Sequence, residues 1–462
     1  MLPCLVLVTA LADVPRLFQL YLDRYNIELA EHERGDVYDF FARRLAHLGV
    51  EHAETLEELD SLVQYSDGNA TYGLTSRFGV PMVPNLHLEL PDEELRASGA
   101  CPLYYRVDTN GILVNLPSSV DLRELGLLGP VANQGQCGSC WAHGTAASID
   151  SLVRRTRQNF KDDSNVDQVF KQPNFVSSVQ YIMNNTSPPN KFCDGGNFLR
   201  VAQAYVDETL DTVETEQDFP LLNLTGNPTT IVKATRKVTQ PFHPYKTIGT
   251  ASDGCNISFF SLFDLQNGQK ISKTQINTLK SWLARGIAVP TTMNTMGDGL
   301  LGAYALSDYR SGVFHRPCNN ASADHQVAFA GYGKYRGQDV WLVRNSWGEY
   351  WGIRGFFMVP IGANTLCIET RAYVGSPAYF TSRDMSEPYA RQPDADKYWS
   401  SYVVRDTETG LDVDNGSLLP VSAIVVICII VIIVVGAVVA AIVFLVKKRS
   451  RQSKDVRRKF WA

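Results

Sequence analysis

At 462 residues, 45% apolar and 20% charged, the chain has ordinary globular composition and enough length for two or three domains. Its net charge of −5 gives no electrostatic reason to expect nucleic-acid binding.

The N-terminus "LPCLVLVTALA" is apolar and ends in the small-residue pattern Ala10-Leu11-Ala12, which reads as a secretory signal over residues 1–12. From residue 13 to about 100 the pattern is helical. In "ERGDVYDFFARRLAHL", Arg34, Tyr38, Phe41 and Leu45 fall on one face. The Pro-containing, irregular stretch "GVPMVPNLHLELPDEE" follows. Residues from about 116 to 375 are denser in aromatics and glycine, with strand-like runs such as "HQVAFAGYG" and "VWLVRN".

Within that region "NQGQCGSCWAHG" sets Cys137 and Cys140 three residues apart. A redox couple is expected near a βαβ pattern, and a zinc site needs further Cys or His at ligand spacing. Neither is visible here. Instead Ala142, Ala146, Ile149 and Val153 mark a helical face, with Ser139 as N-cap and Cys140 in the first turn. The helix dipole lowers a thiol pKa at that position, so Cys140 is a candidate nucleophile that needs a base. His325 begins one strand-like run and Asn345 ends the next. An antiparallel hairpin centred on Tyr335, inside "GKYRGQ", predicts them as cross-strand neighbours, with the Asn345 side-chain oxygen orienting the imidazole.

Residues 376–420 are polar and Pro-bearing and read as a stalk. Val421–Val446 carries no charge, and about 20 apolar residues span a bilayer, which predicts a transmembrane helix. The tail 447–462 holds eight Lys or Arg and one Asp, a net +7 that places it in the cytosol. The expectation is therefore a single-pass type I membrane protein. Everything before Val421 would be luminal (endolysosomal or secretory) or extracellular, and acidic, with about −12 outside the tail. Sequons at Asn69, Asn184, Asn185, Asn223, Asn256, Asn320 and Asn415 agree with a glycoprotein, and disulfides are permitted in such a compartment.

From Leu116 to Gly375 the chain resembles the papain family of cysteine peptidases. The resemblance rests on "LPSSVDLRELGLLGPVANQGQCGSCWA", "CDGGN", "SADHQVAFAGYG", "VWLVRNSWGEYWGIRGFF" and "LCIET", which include the signature Cys137-Gly138-Ser139-Cys140-Trp141. It implies an α+β fold of two lobes, a helical lobe carrying the nucleophile and an antiparallel β-barrel lobe carrying the His and Asn, after a helical prosegment (13–115) that acts as the chain's own inhibitor. It implies catalysis by Cys140, His325 and Asn345, with Gln134 in the oxyanion hole. Gly195, Gly196, Asp324, Trp347 and Arg371 would contact substrate, and Trp347 would cover the Asn–His hydrogen bond. Disulfides Cys137–Cys193 and Cys318–Cys367 follow from the same resemblance, and Cys101 and Cys255 remain as a further pair. No metal or cofactor is implied, and the substrates are peptides or proteins.

The paired thiol of this family has a pKa of about 3–4, so activity at acidic pH is expected. A maturation cut is expected within Asp108–Asn115. The pocket residue of the family falls on Arg371, or on Ala372 if the missing glycine in "LCIE" slips the register by one. Other departures are Leu122 where Trp is usual, His143-Gly144 where Phe-Ser is usual, and Ala30 and Phe41 where the prosegment usually has Glu and Asn. The stretch between Cys140 and His325 exceeds the usual span of about 130–150 residues. The excess is placed in loops at 156–173 and 224–280. Two alternative functions stand beside peptide hydrolysis: an inactive papain-fold surface binding protein, and a thiol oxidoreductase using Cys137 and Cys140 together.

Overall fold

The computed structural model describes residues 14–85, 111–222 and 242–389, except 51, 189, 207, 211, 248, 251–255, 258, 266–268, 297–299 and 320–321, with two short strands beyond. The expected signal, the apolar run 421–446, the basic tail, and Cys4, Cys101, Cys255 and Cys428 lie outside the described residues. Among the described residues no helix is long and apolar enough to cross a membrane.

The N-terminal segment is a small helical globule. α1 (Val14–Arg24), α2 (Glu31–His47) and α3 (Leu56–Val63) each bury one stripe, as three- and four-residue apolar spacing dictates. The Thr55 side chain caps α3 by accepting the Glu58 N–H. On α2 the buried stripe is Val37, Phe41, Arg44 and Leu45. The expected face therefore holds for Phe41 and Leu45 but not for Arg34, whose guanidinium lies out over the Phe18 ring at 5.7 Å. Phe18, Tyr21, Phe41 and Phe78 pack ring against ring, the Tyr21 and Phe41 centroids 5.2 Å apart.

The hairpin of β1 (Tyr65–Ser66) and β2 (Ala70–Tyr72) then forms a three-stranded sheet with Tyr309–Gly312 of the following domain. The approach there is close. Gly312 has φ +85°, and a Cβ on it would sit 2.2 Å from the Asn69 carbonyl oxygen, so only glycine serves.

In the main domain β3 (Val120–Asp121) precedes the helical lobe: α4 (Cys140–Thr156), α5 (Val179–Asn185) and α6 (Phe198–Val206). α4 is buried along its whole length, not on the single face that its alanines suggest, because it runs between the helices and strands β7 (Val289–Met293) and β9 (His325–Tyr335). Its polar residues are satisfied inside: the Arg154 Nε donates to the Phe175 carbonyl at 2.7 Å, and the Ser151 hydroxyl accepts the Ala288 N–H at 2.9 Å.

The remaining elements before β7 are β4 (Gly249–Thr250), β5 (Asn256–Ile257), β6 (Phe259–Asp264) and α7 (Lys273–Ala284). After β7 come α8 (Leu300–Asp308), β8 (Tyr309–Gly312), β9, β10 (Gln338–Arg344), β11 (Phe356–Pro360), β12 (Arg371–Gly375) and α9 (Ser382–Ser386). The sheet is antiparallel in the order β11-β10-β9-β7-β12-β6, with β3 on β9. Among the described residues these pairings form an open path, not the closed barrel expected. In a second unit, β13 (Val404–Arg405) pairs with β14 (Asp412–Val413).

Three boundaries differ from expectation. Residues 224–280 are not only a loop, since β6 falls inside them and the core helix α7 begins there. In the 156–173 insertion Phe160 and Phe170 pack on Phe242, and Phe160 and Phe242 on Tyr379, with Phe170 and Phe242 stacked at 4.0 Å. Packing also continues past Gly375, where Asp384 forms a 2.5 Å ion pair with Arg155, so residues 376–389 belong to the domain and not to a stalk. Both resemblance-based disulfides, Cys137–Cys193 and Cys318–Cys367, are present. The sequon at Asn184 is closed by burial, its side chain accepting from Gln180.

Candidate active site

The β9–β10 turn is tighter than expected. Arg336 (φ +50°) and Gly337 (φ +84°) form a two-residue turn, with Gln338 opposite Tyr335. A bulge at Leu342/Val343 shifts the register again, leaving Arg344 opposite Ala328. His325 is therefore not directly opposite Asn345; its strand partner is Met293 on β7. The side chains still meet diagonally, His325 Nε2 to Asn345 Oδ1 at 2.8 Å. Trp347 covers the pair, its ring 5.2 Å from the imidazole and tilted by 32°. The other ring nitrogen, His325 Nδ1, is buried with no partner and is the one left for a thiol.

Cys140 is the first residue of α4, and it is the free cysteine among the described residues. Ser139 occupies the N-cap position, but its side chain makes no capping bond. The sulfur accepts the Gln326 N–H at 3.3 Å and the Asn85 amide at 3.5 Å. Burial pushes the thiol up to about 11, against the pull of those two hydrogen bonds. Burial also holds His325 down at about 4, opposed by the Asn345 bond and reinforced by the Arg77 charge. Both groups are thus neutral near pH 7 in this arrangement.

The N-terminal segment contributes to that burial. Asn85 bridges the cleft: its amide donates to the Gly196 carbonyl at 2.9 Å, its Oδ1 accepts the Gly196 N–H at 3.0 Å, and its own N–H donates to the Asp324 carbonyl at 2.7 Å. Gly195 (φ +126°) and Gly196, whose Cβ would come within 2.7 Å of Trp141, let the backbone present that edge. The Asp324 side chain is turned onto Thr295. Upstream, the buried Arg77 donates to the Gly135 and Pro81 carbonyls and lies over the Trp347 ring at 5.2 Å. The Ser76 hydroxyl donates to the Trp347 carbonyl.

Gln134 is held by two contacts. The Ser346 hydroxyl donates to its Oε1, and its Nε2 donates to the Cys137 carbonyl at 2.8 Å, leaving one amide N–H uncommitted. Cys137 is committed to Cys193, so Cys137 and Cys140 are not a dithiol couple. Arg371 starts β12 half-buried, while Ala372 is fully buried; successive strand side chains leave opposite faces, so one of them alone can face the cleft. Glu369, beside Ile368, is structural, accepting the Trp341 indole N–H at 2.7 Å. Asn85, Arg77, Ser346 and Gln326 were not legible as site residues. The signal available for Asn85 was its place at the end of a Pro-punctuated stretch, in which Pro81 and Pro84 favour extended chain at Val80 and Val83.

A thiol at a helix start on one lobe and an amide-oriented imidazole on the other define a thiol–imidazole site. The model of the papain family cysteine protease matches residues 116–376, and the chain belongs to that family. It is 28% identical over 293 residues to oryzain beta chain of Oryza sativa subsp. japonica, covering 61% of this chain and 51% of that protein. It is 24% identical over 253 residues to cathepsin K of Mus musculus, covering 54% and 62%. The chain thus spans about half the length of the curated relatives it matches. Among solved structures it resembles the ragweed pollen Amb a 11 cysteine protease in its proform, with a TM-score of 0.52 at 18% identity, over 79% of this chain and 94% of that one.

Proposed function

We propose that the chain is the zymogen of a membrane-anchored, papain-like cysteine endopeptidase. The observation that carries this reading is that the Cys140 sulfur accepts the N–H of Gln326, the neighbour of the Asn345-bonded His325, and also the amide of Asn85 from the chain's own N-terminal segment. With that segment gone, water reaches the pair, and transfer of the Cys140 proton to His325 Nδ1 gives a thiolate and an imidazolium. The thiolate attacks the peptide carbonyl, and Gln134 Nε2 with the Cys140 N–H receives the developing oxyanion. His325 returns its proton to the leaving amine, and water then hydrolyses the thioester. Asn345 keeps Nε2 occupied so that Nδ1 faces sulfur.

A vinyl-sulfone probe tests this. It should label Cys140 in the processed chain and not in Cys140→Ala, which should fold normally and turn over about 10⁶-fold less. A Cys140→Ala chain with full activity would end the proposal. Removal of the Gln134 donor should lower kcat about 10²–10³-fold.

The N-terminal segment acts as the inhibitory prosegment in this reading. Gly111 and Leu113 are tied down, the carbonyl of the first by Arg285 and the N–H of the second by Ser281. We therefore place the maturation cut on the N-terminal side of Gly111, and N-terminal sequencing of the active form decides it. The anchor proposal rests on the uncharged run 421–446 and the +7 tail. Resistance of the membrane-bound chain to alkaline extraction tests it, and full release would contradict it. For specificity, Arg371 facing the cleft predicts acceptance of Asp or Glu two residues before the cut. A peptide library in which wild type and Arg371→Ala share one preference would remove Arg371 from the pocket.

A further inference from the structure

Further along α4 from Cys140, and walled in part by Asn345, lies a cavity of about 320 Å³, within the usual range for small-molecule sites. Small residues on α4 (Gly144, Ala146 and Ala147) leave the space open, and Phe175, Val179 and Val327 give it apolar walls. Asn345 and Ser346, which hold His325 and Gln134, also line it.

Four ionisable side chains line the same space: His143, Asp150, Glu216 and Arg344. None is used by the proposed mechanism. His143 is 7% exposed, and its Nε2 is buried without a hydrogen-bond partner. Burial, with the Arg344 and His325 charges, holds its pKa down at about 3, so the ring is neutral. Arg344 spends its guanidinium on the Gly129 and Pro130 carbonyls, not on either acid. Asp150 accepts the Ser177 N–H and hydroxyl at 2.7 Å through one oxygen, and the Glu216 carboxylate accepts the Leu221 N–H at 2.7 Å and interacts with the Val179 N–H. Burial raises Glu216, and the Asp150 charge raises it further. Asp150 is compensated by the Arg344 and Arg154 charges, whereas among the described residues no cation acts on Glu216, so Glu216 is the carboxylate the cavity leaves without a counter-ion.

We propose that this cavity is a second binding site, for a small organic cation with an apolar body, such as an aryl amidine or arylalkyl amine. The cation sits against Glu216, the body packs on Phe175 and Val179, and His143 supplies a neutral donor or acceptor. Binding itself stands apart from the peptidase reading. Its effect on turnover, through the Asn345–Ser346 wall, rests on that reading.

The test uses the full chain carrying Cys140→Ala, with benzamidine as probe and benzamide as its neutral counterpart. Benzamidine should raise the melting temperature in a saturable way, and benzamide should bind at least about tenfold more weakly. Glu216→Gln, at a half-exposed position, should weaken benzamidine by about tenfold or more. Ala147→Leu should abolish binding by filling the space, and Val179→Phe fills it from α5 should Ala147→Leu fail to fold. Equal binding of benzamidine and benzamide, unchanged binding in these variants, or no binding at millimolar probe would overturn the site. In the processed wild-type enzyme, benzamidine should change kcat without competing with peptide. Retained binding with unchanged kcat would overturn the coupling to catalysis while leaving the site.

Discussion

The N-terminal segment meets the peptidase domain in two ways that differ in chemistry. Its helical globule is held by a buried aromatic core and by Arg44, whose Nη2 pairs with Asp308 at 2.6 Å where both side chains are almost wholly buried. Its passage through the cleft, Pro81 to Asn85, is held by a handful of hydrogen bonds around one asparagine. On the proposed reading the globule should supply most of the affinity, and the asparagine the chemical silence of the thiol. If the segment inhibits as proposed, it should leave the cleft readily once its distant anchor fails.

The largest expected effect is therefore remote from the site. Phe41→Ala removes a fully buried ring from the globule and should destabilise it by about 3–5 kcal/mol. The intact variant should then react with a vinyl-sulfone probe nearly as fast as processed enzyme. Arg44→Met leaves Asp308 buried and uncompensated, at about 3 kcal/mol, and Asp308→Leu on top of it should restore slow labelling. A double variant as leaky as the single would mean that the ion pair is not the anchor. Asn85→Ala should weaken docking by only about 1–3 kcal/mol while exposing the sulfur. Its melting temperature should move less than its labelling rate. Glu57→Gln, on the globule's exposed ion pair with Arg24, should stay within about 0.5 kcal/mol of wild type in a denaturant titration.

The same contrast separates what the sequence revealed from what it did not. The motif around Cys140 and the two strand runs located the site because nucleophile, base and orienting amide each sit at the end of a recognisable element. The hairpin register was misread by a turn centre and a bulge, yet His325 and Asn345 still meet, since diagonal neighbours on a sheet remain within side-chain reach. Arg44 was not legible, because a lone arginine in a helical stripe reads as surface until its partner, 264 residues away, is known. Asn85 was hidden for a similar reason, lying in an irregular stretch with no periodicity. The cavity beside His143 depends on which side chains are missing from a packed space, and spacing along the chain carries no record of that.

The most direct measurement is the pH dependence of Cys140 alkylation in the intact chain and after removal of the N-terminal segment. A thiol pushed up to about 11 and an imidazole held down at about 4 leave almost no thiolate at neutral pH. In the intact chain the rate should thus rise about tenfold per pH unit from 7 to 9. With the segment gone, the ion pair forms, the thiol pKa falls below that of the imidazolium, and the rate should already be flat from mildly acidic pH upward. An intact chain showing that same flat profile would contradict the claim that the segment silences the site by keeping the thiol and imidazole neutral.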